Sequence, residues 1–559
     1  MVKTVLKIFH REISGLHEAA YLLAFFAIMS QILGLIRDRL LAYSFGASST
    51  LDIYYAAFRI PDFIFVTVAS IVSISVLVPF LIEKLDQGAV LGKKFIDNIF
   101  SFFFILIFGV SLLAYFLMPY LVPLIFSGLN ETDKMSELIT IARILLLSPV
   151  FLGLSNFFAS ITQVYRRFLI YGLSPLFYNI GIIIGILFFY PIFGLKGLVF
   201  GVILGAIFHF SIQIPFVRKQ GLIPRFSFSI DYAEIRRVVF LSVPRTITLG
   251  IHQIGLIFLI SIASRMTEGS ISVFNFSLNL QSVPLSIIGV SYSIAAFPTL
   301  SRLFSSGQRD NFLRQIIVSS RHIIFWSIPV SVLFIVLRAQ IVRTILGAGK
   351  FSWEDTRLTA AALALFTISI VAQSMVLLFV RGYYAMGNTK KPLFTGLFSG
   401  AMIILFSFIL IAIFNNFPMF RYFIESLLRV DDISGTAVLM LPLGYSLALV
   451  ANCVLLGIYF HRDFPDFFKA IAKTLFQSFS ASIIMGFAAY LSLNIFDNIF
   501  NLNTLIGIFS QGLFSGLVGI FALILTLKLL KSREADEIWK TMHKKIWKAK
   551  PISPDVQEL

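Results

Sequence analysis

Between residues 19 and 530 the chain alternates long apolar stretches with short polar loops. Fourteen apolar segments of helical length can be marked, at 19–44, 52–82, 95–120, 135–164, 168–190, 196–217, 235–264, 271–301, 313–345, 355–386, 391–414, 434–460, 467–496 and 504–530. A helix needs about 20 mostly apolar residues to cross the hydrocarbon core of a bilayer. The strands of a membrane barrel would instead show short alternating segments, and the sequence has none. The pattern therefore predicts an all-α polytopic membrane protein with fourteen transmembrane helices.

Composition supports this pattern. The chain is 58% hydrophobic and 13% charged, with a mean hydropathy of +0.90. Its formal net charge of +17 raises the question of nucleic acid. The Lys and Arg residues, however, gather in alternate short loops, among them Lys93/Lys94, Arg166/Arg167, Arg218/Lys219/Arg225, Arg302/Arg309 and Lys390/Lys391. The intervening loops SGLNETDK, YPIFGLKG, RMTEGS, AGKFSWED and NIFDNIFNLN are poor in both. That is the positive-inside bias, and around an even number of spans it places both termini in the cytoplasm. No nucleic-acid partner is expected.

Residues 1–18 are basic and are expected to form an interfacial segment rather than a cleaved signal. Residues 531–559 form a basic cytoplasmic tail, in which Ile538, Trp539, Met542 and Ile546 make an apolar stripe suited to an anionic leaflet. Cys453 is the single cysteine, so neither an intrachain disulfide nor a cysteine metal site is expected. There is no GxxxxGK[ST] loop for nucleotide phosphates, no metal-ligand spacing and no nucleophile–base constellation. We expect a monomeric secondary transporter without cofactor, not an enzyme.

Landmarks of the first six segments recur in the next six. VLVPFLIEKL carries Pro79 and AAFPTLSRLF carries Pro298, 219 residues later. QVYRRFLIYGLSP carries Pro175 and VRGYYAMGNTKKP carries Pro392, 217 residues later. Gln31 and Gln253 lie 222 apart. An offset of six spans, an even number, makes the repeats parallel, related by an axis along the membrane normal. This predicts two lobes, 19–220 and 221–465, facing a central cavity, with residues 466–530 outside the repeat. Pro61 and Pro284 should bend the second and eighth helices.

The run SQILGLIRDRLLAYSFGASSTLDIYYAAFRIPDF (30–63) resembles the opening signature of the MurJ/MviN family, bacterial lipid II flippases of the MOP exporter superfamily. So do NIGIIIGILFFYPIFGLKGLVFGVILGAIFHFSIQIPFVRKQG (179–221), PLSIIGVSYSIAAFPTLSR (284–302) and VRGYYAMGNTKKP (380–392). The resemblance implies a cationic cavity between two lobes and a groove of helices 13 and 14 for a polyprenyl tail. It also implies alternating access carrying an undecaprenyl-pyrophosphate-linked glycopeptide from the inner to the outer leaflet of the bacterial inner membrane.

Ser30, Gly34 and Arg37 are spaced i, i+4, i+7 and so share a helix face. Arg37 matches the family's cavity arginine, and a guanidinium offers a pyrophosphate both charge and forked donors. The competing reading is that Arg37 sits near the helix end and snorkels to the interface. Substrate-binding candidates are Arg37, Ser30, Gln31, Arg59 and Asn279. Asp38 and Asp52 are candidates for a gate or ion pair, with a solvated loop carboxylate as the alternative for Asp52. Arg59 and Asp62 flank Pro61 and either neutralise each other or leave Arg59 facing the cavity. The chain departs from the family where arginines are usual, at Gln31, near Phe65 and near Asn279, and where an acidic-glycine pair is usual, near Ser70 and Ile71. Its cavity should be less cationic than is typical. Two alternatives stand beside lipid II export: a transporter of another undecaprenyl-linked glycan or, as in MATE-like antiporters, of a drug; and a non-transporting membrane scaffold.

Overall fold

With no water in a bilayer core to bond backbone groups, a spanning segment has to satisfy every N–H and C=O within itself, which a helix does. The computed structural model describes residues 16–71, 74–129, 131–165, 167–227 and 231–537, and no strand occurs among them. Residues 1–15, with most of the expected interfacial segment, lie outside the described residues, as does the stripe of Ile538, Trp539, Met542 and Ile546.

Each predicted apolar segment falls on a helix. These are α1 (Leu16–Phe45), α2 (Ser49–Ile71), α3 (Ala89–Ile125), α4 (Thr132–Val164), α5 (Phe168–Phe193), α6 (Leu195–Lys219), α7 (Tyr232–Ala263) and α8 (Ser270–Ser305). They continue as α9 (Arg309–Val336), α10 (Trp353–Thr367 and Ile370–Ala385, bent by 41°), α11 (Lys390–Asn416), α12 (Thr436–Asp463), α13 (Phe467–Asp497) and α14 (Leu505–Leu529). The shorter helices Ile74–Asp86, Arg338–Leu346 and Pro418–Leu428 extend or join them.

The two prolines expected to bend helices act one step away from themselves. α2 breaks at Phe58, between Ser49–Ala57 and Arg59–Ile71. The ring of Pro61 would clash with the carbonyl four residues back, at Ala57, so the break precedes the proline. In α8 the regular helix Ser270–Leu285 gives way to a π-turn over Ser286–Val290, immediately after Pro284. A π-turn absorbs one extra residue without leaving the helical path.

The chain forms two compact units, each discontinuous in sequence. One comprises residues 1–280, 345–366 and 388–452; the other comprises 281–344, 367–387 and 453–559. In the first, α1 packs on α5, α5 on α6, α2 on α7, and α7 on α11. In the second, α13 packs against α9 and α14. Its core is Leu300, Ile316, Leu378, Phe379, Tyr383 and Phe460, and the Tyr383 hydroxyl donates to Asp463 at 2.9 Å.

A close backbone approach between two helices of the first unit is a glycine seam. Gly181 and Gly185 of α5 face Gly201 and Gly205 of α6, and a Cβ on Gly185 would lie 2.6 Å from Cα of Gly201. Small-xxx-small spacing on both helices lets the backbones touch, where lipid offers no hydrophobic drive to hold them together. Gly194 alone joins the two helices, at φ 60°, a conformation that only glycine adopts freely. Gly201→Leu should therefore overpack the seam and lower stability by about 1–3 kcal/mol. Gly34→Ala, whose Cβ would meet nothing within 4 Å, should be neutral or stabilising by roughly 0.5–1 kcal/mol. Thermal unfolding of both variants in detergent checks the contrast.

Candidate functional site

A charge placed in an apolar helix costs about 2.5–3.5 kcal/mol on insertion scales unless it finds a partner. On α1 the exposed apolar residues Phe25, Ile28, Ile32 and Ile36 form one stripe. Ser30, Gly34 and Arg37 lie on the opposite face by helical spacing, so Arg37 points away from the stripe rather than snorkelling along it. The Arg37 guanidinium, 24% exposed, donates from Nε and Nη2 to Oδ1 of Asp38 at 2.9 and 2.8 Å. Its Nη1 donates to Oδ1 of Asn179 on α5 at 3.2 Å.

The network runs on from both ends. The Asn179 amide donates to the carbonyl of Pro175 at 3.2 Å and reaches toward the Ser30 hydroxyl at 3.4 Å. Asp38 is buried, and its second oxygen accepts from Nδ2 of Asn279 on α8 at 3.1 Å. Ser30, Asn179, Arg37, Asp38 and Asn279 thus form one polar chain across α1, α5 and α8. The adjacent acid makes the site nearly neutral overall, yet Arg37 keeps an exposed edge. Gln31, half-buried, is seven residues from Asp38 and shares its face, one step round the helix from Ser30.

Arg59 is buried and does not turn to Asp62, which is half-buried one turn along. Its Nη2 donates to Oδ1 of Asn275 on α8. Its Nε and the hydroxyl of Tyr55, one turn before it, are buried without a hydrogen-bond partner among the described residues. Buried donors left open in this way are places for water or a ligand group. Pro61 and Pro284 place bends beside these residues and contribute no polar atom of their own.

Asp52 is buried rather than solvated. Its carboxylate accepts from the backbone N–H of Gly269 at 2.7 Å and of Ser272 at 2.7 Å, and from the Ser272 hydroxyl at 2.6 Å. These donors lie at the N-terminus of α8, where backbone N–H groups have no helical partner and the helix dipole favours an anion. Asp52 of α2 therefore caps α8. Beside it a small, partly open cavity of about 90 Å³ is lined in part by Lys134, Glu131 and Glu268, with Lys134 bridging the two acids at 3.0 and 2.6 Å.

Ser70 shares a hydrogen bond of 2.6 Å with Thr246 of α7. Three histidines, His209, His252 and His322, make local contacts. Nδ1 of His209 lies 2.6 Å from the Ser155 hydroxyl, His252 lies against Tyr445, and His322 stacks on Tyr292. Asn179 and Asn275 were both missed as site residues from sequence; Asn179 is a single amide inside an apolar run, and Asn275 lies one turn before Asn279 in a helix with several polar residues. Asn179 opens the NIGIIIG stretch, and its polarity there was the available signal.

A family model described as lipid II flippase MurJ matches residues 41–510. A lipid II flippase MurJ from Burkholderia cenocepacia is 25% identical over 386 residues, covering 68% of this chain and 75% of that protein. A probable lipid II flippase MurJ from Thermotoga maritima is 28% identical over 512 residues, covering 91% of this chain and 95% of that one. Among solved structures, a lipid II flippase MurJ in an inward closed conformation matches with a TM-score of 0.72 at 24% identity, over 91% of this chain and 98% of that one. An inward-facing multidrug resistance MATE family transporter of the MOP superfamily matches in fold with a TM-score of 0.63 at 13% identity, over 80% and 99% of the two chains.

The cap on α8 gives a direct test. Asp52→Ala should strand three donors and destabilise the protein by about 1–3 kcal/mol, with Asp52→Asn losing less because one acceptor oxygen remains. Thermal unfolding in detergent reads both.

Proposed function

Since this chain belongs to the lipid II flippase MurJ family, we propose that it carries lipid II across the bacterial inner membrane by alternating access. The substrate is an undecaprenyl-pyrophosphate-linked glycopeptide moved from the inner to the outer leaflet, and both termini lie in the cytoplasm. The observation that carries the reading is the half-buried guanidinium of Arg37, held by Asp38 and Asn179 on the face opposite the lipid-exposed stripe of α1. A pyrophosphate arriving at that edge would meet a charge already aimed and a donor fork already shaped, so little ordering remains to be done on binding.

Asn279 and Asn179 lend donors that suit phosphate or sugar oxygens but add no charge. Arg59 supplies a second buried cation, with Nε open. Asp38 and Asp52 are the candidate gating contacts: Asp38 shares Arg37 with the cargo, and Asp52 fastens the start of α8. The sequence repeat supports lobes at 19–220 and 221–465 that rock about the cavity, with residues 466–530 receiving the polyprenyl tail. Transport runs on a gradient rather than ATP, in a monomer.

The absence of arginine at Gln31, Phe65 and Asn279 favours one second reading, export of another undecaprenyl-linked glycan whose head group needs fewer cations. In a flippase-depleted strain, the wild-type chain should restore lipid II exposure at the outer leaflet. Arg37→Ala should weaken head-group binding by about 1.5–3 kcal/mol for a charged hydrogen bond, roughly a tenfold to hundredfold loss, with Arg37→Lys recovering part of it. Normal export by Arg37→Ala would remove Arg37 from the site. Failure of the wild type with lipid II, alongside transfer of a different polyprenyl-linked glycan, would establish the second reading.

A further inference from the structure

Between α11 and α12 the chain forms the helix Pro418–Leu428, which no apolar segment of spanning length announces. α11 ends at Asn416, a single extended residue, Phe417, follows, and Pro418 opens the new helix at its first position. The helix has two distinct faces. Met419, Phe423 and Leu427 succeed one another at i+4 with Tyr422 beside them, and these four and Phe417 are each at least 60% exposed. On the other face Ile424 and Leu428 are buried.

That inner face is fixed by polar contacts. Nε of Arg421 donates to Oε1 of the buried Glu425 at 2.9 Å, and the hydroxyl of Thr436 donates to the same oxygen at 2.5 Å. Arg421 also lies over the ring of Phe414, 5.8 Å from its centroid. The loop that follows is clamped by Arg357 of α10, which makes a two-pronged contact with Asp432 and donates from Nε to the carbonyl of Arg429 at 3.1 Å. These bonds hold the Asp432 carboxyl below the usual carboxylate range. The aromatic face is therefore presented outward by a braced scaffold.

An outward apolar face of this density is not an ordinary water-exposed surface. Its surroundings identify the occupant. The exposed apolar positions Leu405, Phe408 and Ile409 of α11 belong to a membrane-crossing helix, and the sequence of exposed residues continues from them to Phe417. Trp353, one turn before the clamping Arg357, is also exposed. Trp and Tyr gather where hydrocarbon meets water, their rings in lipid and their polar ends at the headgroups.

We propose that Pro418–Leu428 lies in the membrane–water interface, its Met419, Tyr422, Phe423 and Leu427 face sunk in the leaflet that α11 reaches at Asn416. The ligand is the lipid surface itself, and the anchor operates whatever cargo the transporter carries. It fixes the outward ends of α11 and α12 at a set depth, while the Arg421 stem lets its guanidinium remain at the headgroups.

The test uses the full chain in liposomes, in a Cys453→Ser background, with nitroxide labels at Met419→Cys, Phe423→Cys and Leu427→Cys and a reference label at Asp431→Cys. Molecular oxygen concentrates in lipid and a neutral nickel chelate in water. The expected result is oxygen-dominated relaxation at 419, 423 and 427 and nickel-dominated relaxation at 431. Nickel access at all four positions would overturn the proposal. So would strong dipolar broadening at 423, which would mark the face as a contact between two copies of the chain.

Discussion

A membrane interior forgives no unpaired polar group, and the first of the two compact units is organised around that constraint. Arg37 is admissible within α1 because Asp38 lies beside it, and Asp38 is admissible because Arg37 and Asn279 take up both its oxygens. Asn179 takes one further guanidinium donor, Nη1, from α5 and leaves one edge exposed. Each member of the pair takes its further bond from a different helix, so the packing of α1, α5 and α8 and the satisfaction of one ion pair are linked. A buried pair of this kind brings little net stability, but leaving either member alone is strongly unfavourable.

Asp52 obeys the same rule in another form. It supplies an anion where α8 begins with open N–H groups, so a residue of α2 completes a helix more than two hundred positions later in the chain. The Nε of Arg59 and the hydroxyl of Tyr55 are among the buried polar atoms that have no hydrogen-bond partner among the described residues. They lie one turn apart, on either side of the break at Phe58.

The spans were legible because a long apolar run has one solution in lipid, and every predicted segment found its helix. The breaks inside them were harder. Pro61 and Pro284 announced a disturbance, but its place, at Phe58 and at Ser286–Val290, depends on which carbonyl the ring displaces and on how the next turn repacks. The face holding Ser30 and Arg37 followed from spacing alone. Asn179 did not, since one amide in an apolar run has no periodicity to betray its partner; Asn275 shares a face with Ser272 and Asn279 by spacing, but nothing local shows that it meets Arg59. Asp52 read as a gate or ion-pair residue or as a solvated loop acid, and not as a helix cap, because the donors it caps lie far away in sequence. The helix Pro418–Leu428 was too short to register as a span, although its opening proline and its Arg421/Glu425 pair at i+4 were visible in hindsight.

The glycine seam between α5 and α6 has an effect beyond packing. Asn179 stands two residues before Gly181, so the contact that locks α5 against α6 also sets the azimuth at which the Asn179 amide meets Arg37. The seam works as an indexing pin: it carries no chemistry, yet it decides where a chemical group points. Substitution is therefore unequally tolerated along this chain. A side chain in the polar network can be replaced by another that offers a similar donor, whereas a Cβ on the glycines that aim it would meet backbone at once.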